Sequence, residues 1–505
     1  MEMIDALLAG LGTVVAVIPL LTIVAGIVLG IVIGAMPGLS PSMGVALMVP
    51  FTYGMSPTLA LILLVGIYIG SSYGGSITGI MVNAPGTPSA VVTAIDGYAL
   101  TRQGRPALAL GTSIVASAVG GMFGTIILIG FSVPLAEIAV RFHPSEYFAF
   151  AAFGLATIAM LAGDRWVKAL VAMLVGLIIA TVGTDPISGA ERFTFEVMAL
   201  SDGFLLIPAL IGMFALSEVF TGIERGEFRI AKATGIGDRW PRLADYWRLK
   251  WVTLRSGAIG TLIGIFPGAG ATIGSFISYG IAKRISRNRE QFGKGSPEGV
   301  TAAEAADSGS VGGAMVPLLA LGIPGSATTA VLIGAMMIHD LTPGPQLFVS
   351  SPGMIYAIFA AMLLSQFVLL LVGLAGGRLW VRVAHVPKEL LYSLITMMAL
   401  IGAYAVRNSM FDVFCCLAFG LLGWLMRRYD YPLAPVILGL VLGAIAETNF
   451  RRAIMMDGPM VFVSRPLTAI MLGLALASFL IPLIMRLREV SQASATTRAQ
   501  AASRH

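Results

Sequence analysis

Small and hydroxyl-bearing residues are concentrated in one stretch of the chain, Gly70 to Tyr98, which lies within otherwise apolar sequence. Besides its glycines, serines and threonines, the stretch contains two prolines, one amide and one carboxylate. Backbone groups freed by glycine and proline at membrane depth cannot be satisfied by hydrocarbon, so this segment must face protein or water. A second stretch, Ser310 to Ala330, has the same character. We predict that the two stretches form the halves of one binding site.

Four Pro-Gly pairs mark the points where the backbone is expected to turn, and they lie at residues 37–38, 85–86, 267–268 and 324–325. A helix that begins or ends at mid-membrane presents unpaired N–H groups, and its positive dipole end favours an anion such as a carboxylate. Glycine lets the backbone approach a ligand, and hydroxyls add donors, although serine and threonine also help membrane helices to pack. The predicted substrate-binding residues are Pro37, Gly38, Ser40, Ser76, Asn83, Gly86, Thr87, Gly268, Thr272, Gly325, Ser326 and Thr328.

Ionisable residues in the same stretches are candidates for ion coupling, because charged groups at membrane depth are costly and commonly mark ion or proton pathways. We predict coupling of a cation or proton at Asn83, Asp96, Asp307 and Ser308, with Na⁺ held by Asn83 and Asp307 if the ion is a metal. Glu304 is expected at the membrane face. The residues leave Na⁺ and H⁺ open, since Na⁺ would use backbone carbonyls and side-chain oxygens, whereas a proton needs a buried carboxylate.

The elements that must position these residues are membrane helices. Of the 505 residues, 57% are hydrophobic and 11% are charged, whereas charged residues make up about 25% of soluble domains. This excludes a soluble globular protein, and the net charge of +6 indicates basic cytoplasmic loops rather than nucleic-acid binding. The adjacent Cys415 and Cys416 form no disulfide or metal-binding pattern. The apolar segment at residues 11–35 is long enough to span the bilayer, and we expect it to be retained rather than cleaved.

An internal repeat organises these helices. The sequence IGAMPG at 33–38 returns as IGIFPG at 263–268, and both are followed by a glycine six positions on. We predict an all-α polytopic membrane protein of two inverted repeats with broken or re-entrant helices and about 10–14 membrane segments. The predicted divisions are a first membrane repeat at 1–220 with motif blocks 31–44 and 70–98, a basic cytoplasmic linker at 221–249, a second repeat at 250–488 with blocks 263–274 and 292–330, and a disordered cytoplasmic tail at 489–505.

Loop charges predict the orientation, because cytoplasmic loops hold an excess of lysine and arginine. The loop after residue 220 is strongly basic and is placed inside, as is the basic C-terminal tail. The loop from Thr184 to Asp202 is acidic and is placed outside, together with the N-terminus, which precedes every lysine and arginine of the chain. Arg451 and Arg452 run against this scheme, because it leaves them outside.

Several motifs give the chain a specific resemblance. They are the glycine blocks at 34–38 and 264–268, YGGSI at 73–77, NAPGTP at 83–88, DGY at 96–98, FGKGSPEGV at 292–300 and LGIPGS at 321–326. With these motifs the chain resembles the large membrane subunit of tripartite tricarboxylate transporters, the TctA family. The resemblance implies a permease of the bacterial inner membrane that imports carboxylates by symport with an ion. It also implies two partners, a small membrane subunit and a periplasmic solute-binding protein.

One departure from the family pattern concerns the substrate. After Glu304 and two alanines the family usually has two asparagines, whereas this chain has Asp307 and Ser308. A carboxylate in place of an amide could change the coupling ion or the preferred anion. The resemblance therefore implies a small carboxylated substrate but does not fix citrate, the usual substrate of the family.

Two alternatives remain open from the residues. Broken helices also occur in stand-alone carriers and anion channels, and dependence on a soluble binding protein would separate these from a tripartite system. Gly70 to Gly74 matches G-x-S-x-G, which would make Ser72 the nucleophile of an intramembrane serine protease with His339 as its base. No catalytic residue, ATP-binding loop or cofactor other than the coupling ion is predicted, and the chain is not expected to be an enzyme.

Overall fold

The computed structural model describes residues 2–36, 38–161, 165–226, 240–268, 270–377, 379–380, 387–478 and 480. Within them the chain is almost entirely helical, with one two-stranded antiparallel hairpin formed by β1 (Gly183–Thr184) and β2 (Glu191–Arg192). The predicted all-α polytopic architecture is confirmed. The predicted linker falls partly, and the predicted tail wholly, outside the described residues, and the division into repeats stays a prediction.

Many helices of the first half begin with a proline, whose fixed φ suits the first turn and whose missing N–H costs nothing there. The bounds of the described helices in this half are α1 Glu2–Val15, α2 Val17–Gly34, α3 Pro41–Met48, α4 Pro57–Val82, α5 Ala90–Arg102, α6 Pro106–Ala139, α7 Pro144–Leu161, α8 Trp166–Ala180 and α9 Leu206–Arg225, the last with a π-helical stretch at Ile211–Leu216. In the first half, α4 packs chiefly on α2 and α5.

The second half contains twelve further described helices, both long and short. Its bounds are α10 Leu243–Arg248, α11 Lys250–Ile265, α12 Gly270–Ile285, α13 Pro297–Leu321, α14 Ala327–Ile338, α15 Gln346–Ser350, α16 Pro352–Ala375, α17 Lys388–Ala405, α18 Met410–Arg428, α19 Ala434–Asp457, α20 Val461–Ser464 and α21 Pro466–Ser478. Short 3₁₀ turns occur at Val49–Thr52, Met198–Leu200 and Arg289–Gln291.

Seven of the described helices are long and apolar enough to cross a membrane, and six shorter apolar helices accompany them. The long ones are α2, α4, α6, α9, α16, α18 and α19. Helix α13 is not among them, although it spans 25 residues, because polar residues line it. Every residue from Gly299 to Leu321 is nevertheless buried. Helix α13 is therefore a polar helix enclosed by protein, packed chiefly on α6, α11 and α12.

Glycines let the central helices approach until their backbones touch. A Cβ on Gly70 of α4 would lie 2.5 Å from the carbonyl oxygen of Ile27 on α2. A Cβ on Gly309 of α13 would lie 2.6 Å from the carbonyl oxygen of Gly257 on α11. Small residues at helix crossings are typical of membrane proteins, where close backbone packing replaces the hydrophobic effect.

These contacts recur with fixed spacing along the chain. Positions on α2 correspond to positions on α11 that lie 230 residues later, so Ile27 corresponds to Gly257. Positions on α4 correspond to positions on α13 that lie 239 residues later, so Gly70 corresponds to Gly309. A Cβ on Gly34 would collide with the backbone of Ser71, and a Cβ on Gly264, which lies 230 residues later, would collide with the backbone of Ser310, which lies 239 residues after Ser71. The packing of the two halves is thus repeated position by position, while their opposite orientation stays a prediction.

The glycine-rich start of the first motif block does not interrupt a helix. Residues 57–82 form one continuous helix, although motif block 70–98 belongs to a part of the chain where broken helices are predicted. The physical reason is that Gly70 and Gly74 face the backbone of α2, so they serve close packing. The interruption occurs later, at Asn83.

An ion-pair cluster fastens the acidic loop to the end of α19. Arg451 bonds the carboxylate of Asp185, and Arg192 lies 2.5 Å from Glu447. Arg451 runs against the predicted charge orientation, and its charge is balanced by the acidic loop. The predicted positions of the two termini relative to the membrane stay predictions.

Candidate functional site

Two long helices each give way to a second helix after a short break. Helix α4 ends at Asn83, which has a left-handed φ of 55°, and α13 ends at Gly322, with a φ of 72°. Glycine adopts this conformation freely and asparagine tolerates it, so both residues end a helix at little cost. The breaks that follow carry the predicted site residues Gly86, Thr87, Gly325 and Ser326.

Hydroxyls in the two breaks cap the helices that come next. The Thr87 hydroxyl accepts a hydrogen bond of 3.1 Å from the backbone N–H of Ala90, at the start of α5. The Ser326 hydroxyl accepts one of 3.2 Å from the backbone N–H of Thr329, and the Thr329 hydroxyl accepts one of 2.7 Å from the Ser326 N–H. Capping satisfies N–H groups that would otherwise be orphaned in an apolar interior. Helices α5 and α14 therefore start in the interior with their first turns held by hydroxyls.

Glycines bring the turns against neighbouring backbone. The N–H of Gly86 donates to the Gly75 carbonyl at 3.1 Å, and the N–H of Gly268 donates to the Gly325 carbonyl at 3.2 Å. The second of these bonds joins the turn after α11 to the break after α13. Two of the four predicted Pro-Gly turns are thus in direct contact.

Each half also reaches into the break of the other. Tyr68 of α4 places its hydroxyl 3.3 Å from the Ser326 hydroxyl, and Asp307 of α13 lies beside Ser89. Asp307 lies 239 residues after Tyr68, and Thr328, which also lies beside the Tyr68 hydroxyl, lies 239 residues after Ser89. The two cross-contacts therefore join equivalent positions, which makes this the place where both halves and both breaks meet.

Glu304 is a fully enclosed carboxylate, with none of its surface exposed. Three hydroxyls from three helices of the first half donate to it. Thr93 of α5 does so at 2.6 Å, Ser117 of α6 at 2.7 Å, and Ser76 of α4 also makes this contact. Hydroxyl donors stabilise a carboxylate that burial would otherwise penalise heavily. Glu304 consequently links the second half to the first through charge-assisted bonds.

Asp307 lies one turn further along α13 and is 2% exposed. Its Oδ2 atom is buried and has no hydrogen-bond partner among the described residues. A spacing of three residues places two side chains on the same face of a helix. Glu304 and Asp307 therefore form a pair of carboxylates inside the protein, with one oxygen of the pair unsatisfied.

Comparison with known proteins places this arrangement in a family. The model of the tripartite tricarboxylate transporter TctA family matches residues 20–438. This chain belongs to that family. It is similar to an uncharacterized 52.8 kDa protein in the TAR-I ttuC' 3'region of Agrobacterium vitis, with 36% identity over 446 residues that cover 88% of this chain and 89% of the relative. It is also similar to an uncharacterized protein in the TAR-II ttuC' 3'region of the same organism, with 36% identity over 45% of this chain and 96% of the relative. No solved structure matches.

In this TctA protein, Asp96 is held away from the breaks. Its Oδ1 accepts the backbone N–H groups of Gly293, Gly295 and Ser296 at 2.8 to 2.9 Å, and its Oδ2 accepts the Tyr279 hydroxyl at 2.8 Å. Four donors match a carboxylate that anchors a loop, because a cation would have to compete with them for the same lone pairs. Asp96 thus ties α5 to the loop before α13, and its predicted role in coupling stays a prediction.

The remaining predicted residues differ in burial. Ser76, Thr87, Ser308, Thr328 and both break glycines are buried, Ser40 and Thr272 are half-buried, and Gly38 and Asn83 are exposed. Ser40 caps α3 through a 3.3 Å bond from the Met43 N–H. Pro37 lies outside the described residues. The Na⁺ site predicted at Asn83 and Asp307 stays a prediction, and its two members have opposite exposure.

Sequence reasoning missed Glu304, which it placed at the membrane face. The signal that could have found it is its spacing from Asp307 on a helix that carries no other ionisable residue between Glu298 and the end at Leu321. The structure does not support the serine protease hypothesis, because the Nε2 atom of His339 contacts the Thr52 hydroxyl at 3.1 Å rather than the Ser72 hydroxyl.

Proposed function

We propose that this TctA family protein is the permease subunit of a binding-protein-dependent secondary transporter that imports tricarboxylates or other small carboxylates. The observation that carries the proposal is that two hydroxyl-capped helix starts, those of α5 and α14, are each reached by a residue of the other half, Asp307 beside Ser89 and Tyr68 beside Ser326. The caps are the hydroxyls of Thr87 and Ser326. Helix starts and hydroxyls together form a site for an anionic group.

The charge balance of the interior supports the transport of a small anionic substrate together with a cation. Among the residues that the structure describes, no lysine or arginine is buried, whereas Glu304 and Asp307 are. An anion in this region is therefore held by N–H groups, hydroxyls and a co-transported cation rather than by a guanidinium or ammonium group. Such a composition favours symport driven by a Na⁺ or H⁺ gradient over facilitated diffusion.

Family membership supports the partners and the location. A tripartite system has a small membrane subunit and a periplasmic solute-binding protein, and we propose that this chain works with both in a bacterial inner membrane, with its N-terminus periplasmic and its C-terminus cytoplasmic. The acidic loop from Thr184 to Asp202 would then face the periplasm, where the binding protein docks. A stand-alone carrier or channel is the competing proposal.

Uptake into proteoliposomes tests the proposal. Vesicles that hold this chain with its small subunit are given radiolabelled citrate and related di- and tricarboxylates, with or without the binding protein, under imposed Na⁺ or H⁺ gradients. We expect accumulation only with both a gradient and the binding protein. Uptake that ignores the binding protein would favour the stand-alone carrier, and no uptake of any carboxylate would contradict the substrate class.

A further inference from the structure

We propose that Glu304 and Asp307 together form a proton-binding site, so that H⁺ is the ion that this pair carries. The proposal rests on the function proposed above for its role in transport, but the site itself is a property of the chain. The proposal selects H⁺ over Na⁺, which the sequence does not distinguish, and it adds Glu304 to the predicted coupling residues.

The first step is the absence of a compensating charge around the pair. No lysine, arginine or histidine of the described residues forms an ion pair with either carboxylate, in contrast to the acidic residues of the loop and of α18. Two carboxylates one turn apart in a medium of low dielectric constant repel each other strongly, so the pair holds one negative charge rather than two. The missing charge must be supplied by a bound proton or a bound cation.

The groups that surround the pair do not supply it. Helices α4, α5, α6, α11, α12 and α14 all pack on α13. The ionisable groups that face the pair from α4 are the phenols of Tyr68, near Asp307, and Tyr73, near Glu304. On α5 and α12, Asp96 and Tyr279 bond each other. Arg255 of α11 makes no ion pair with either carboxylate among the described residues.

The second step distinguishes the two carboxylates. Glu304 receives hydrogen bonds from Ser76, Thr93 and Ser117, and the Ser113 hydroxyl lies nearby. A carboxylate that accepts this many donors is stabilised in its charged form. Asp307 has one buried oxygen that accepts no hydrogen bond from any of the described residues. The proton therefore resides on Asp307, and Glu304 keeps the single negative charge.

The third step concerns the choice between H⁺ and Na⁺. Sodium coordination needs several oxygen lone pairs turned toward one point, whereas the hydroxyls around Glu304 present their hydrogens to it. A proton needs only the one free oxygen that Asp307 provides. The arrangement thus fits a proton without any rearrangement of the hydroxyls.

The last step connects the proton to movement. Glu304 lies on the second half, and all of its donors lie on the first half, so the charge of the pair acts across the surface where the halves meet. When Asp307 releases its proton, two charges repel in the interior and weaken that surface. Uptake of the proton from one side and its release to the other would then be linked to rearrangement of the two halves.

Infrared spectroscopy of the purified chain in lipid nanodiscs tests the site without relying on transport. A buried protonated carboxyl group gives a carboxylic-acid C=O band that is absent from an ionised carboxylate. We expect this band at neutral pH in K⁺ buffer, its loss in Asp307→Asn, and its persistence in Glu137→Gln, which removes an exposed carboxylate from α6. Glu304→Gln removes the repelling charge and is expected to shift the loss of the band to lower pH. A wild-type spectrum without the band, or a band that Na⁺ abolishes at constant pH, would overturn the proposal.

Transport then tests the coupling. In vesicles, Asp307→Asn is expected to lose accumulation driven by a pH gradient while it retains exchange of labelled for unlabelled substrate, because exchange needs no net proton movement. Asp307→Glu keeps a carboxyl group and is expected to keep part of the accumulation. Accumulation driven by Na⁺ alone in the wild type would contradict proton coupling. If the wild type moves no carboxylate at all, the proposed function fails, and the infrared result still decides the proton site.

Discussion

The two helix breaks lie at corresponding positions of the two halves, and the side chains around them differ in chemistry. Each lies after a long glycine-bearing helix, and each is reached by a residue of the other half, Tyr68 in one direction and Asp307 in the other. Around Glu304 the partners are the hydroxyls of Ser76 and Thr93, whereas the positions related by the 239-residue spacing are the buried and apolar Val65, Met315 and Leu332. The repeat thus supplies a matched framework, and the charge is confined to one side of it.

This difference teaches that a repeated scaffold constrains backbone contacts more than side-chain chemistry. Four glycines recur at the corresponding positions of the two halves, and a Cβ at any of them would collide with backbone; they are the pairs Gly30 and Gly260, Gly34 and Gly264, Gly70 and Gly309, and Gly74 and Gly313. The positions around Val65 and Glu304 only need to fill space and satisfy their own polar atoms. One half can therefore change to a polar cluster without disturbing the fold.

The largest effect is expected when the charge is moved to the apolar side. Val65→Glu would bury a carboxylate among apolar residues with no hydroxyl donor at the equivalent positions, and an uncompensated buried charge costs about 3–5 kcal/mol. We expect little folded protein on size-exclusion chromatography in detergent. Val65→Gln, which has the same size and no charge, is the control and should be milder. Equal stability of Val65→Glu and wild type would show that the two sides are not chemically distinct.

Removing the acceptor from the polar side comes next in size. Glu304→Ala leaves three hydroxyls without their acceptor, and each unsatisfied buried donor costs about 1–3 kcal/mol, although serine and threonine regain part of this by bonding the preceding turn. We expect a clear drop in the midpoint of thermal unfolding. Glu304→Gln retains one acceptor oxygen and should lose less. A Gln variant as unstable as the Ala variant would mean that the negative charge, rather than hydrogen bonding, holds these helices together.

The matched framework is tested by paired glycine substitutions. In Gly34→Ala the new Cβ would lie 2.8 Å from the Ser71 Cα, and in Gly264→Ala it would lie 2.9 Å from the Ser310 Cα. Overpacking of this kind costs about 1–3 kcal/mol, so both variants should be destabilised to a similar extent in thermal unfolding. Gly280→Ala is the control, because a Cβ there has nothing within 4 Å. A large effect in only one of the pair would contradict the equivalence of the two packing surfaces.

Helix capping gives a smaller paired effect. Thr87→Ala removes one cap bond at the start of α5, and Ser326→Ala removes half of the reciprocal capping pair at α14. Loss of a cap costs typically about 1 kcal/mol, so we expect modest and similar drops in stability. Loss of carboxylate uptake beyond this change in stability would indicate that the hydroxyls also contact the substrate. Unchanged uptake in both variants would show that the two hydroxyls act only as helix caps.

The sequence alone predicts the framework better than the site. Pro-Gly pairs and the repeated spacing indicate where α4 and α13 give way to new helices, because glycine and proline act through local backbone geometry. The partners of Glu304 could not be predicted in this way, since Ser76 lies 228 positions away and only folding brings the two together. Closeness to a charged loop in sequence led to the expectation of Glu304 at the membrane face, and its enclosure by three helices of the first half was not predicted. The same applies to Gly70 and Gly74, whose role in packing depends on α2.

The smallest effect is expected at Asp185, a carboxylate that is paired with a cationic side chain, unlike Glu304 and Asp307. The Arg451 guanidinium beside Asp185 holds the pKa of that carboxyl well below its usual value, and backbone N–H groups of the same loop add to the shift. A lowered folded-state pKa contributes stability that is present above the unfolded value of about 3.9 and is lost as the pH falls through the folded value. Asp185→Asn should therefore be slightly less stable than wild type at pH 7, with a difference that shrinks progressively below about pH 4. Thermal unfolding across pH would check this, and a difference that stays constant down to the acid limit would show that Arg451 and Asp185 do not interact as a charged pair. Asp307 has no such cation beside it among the described residues, so the two carboxylates differ in the charge that surrounds them.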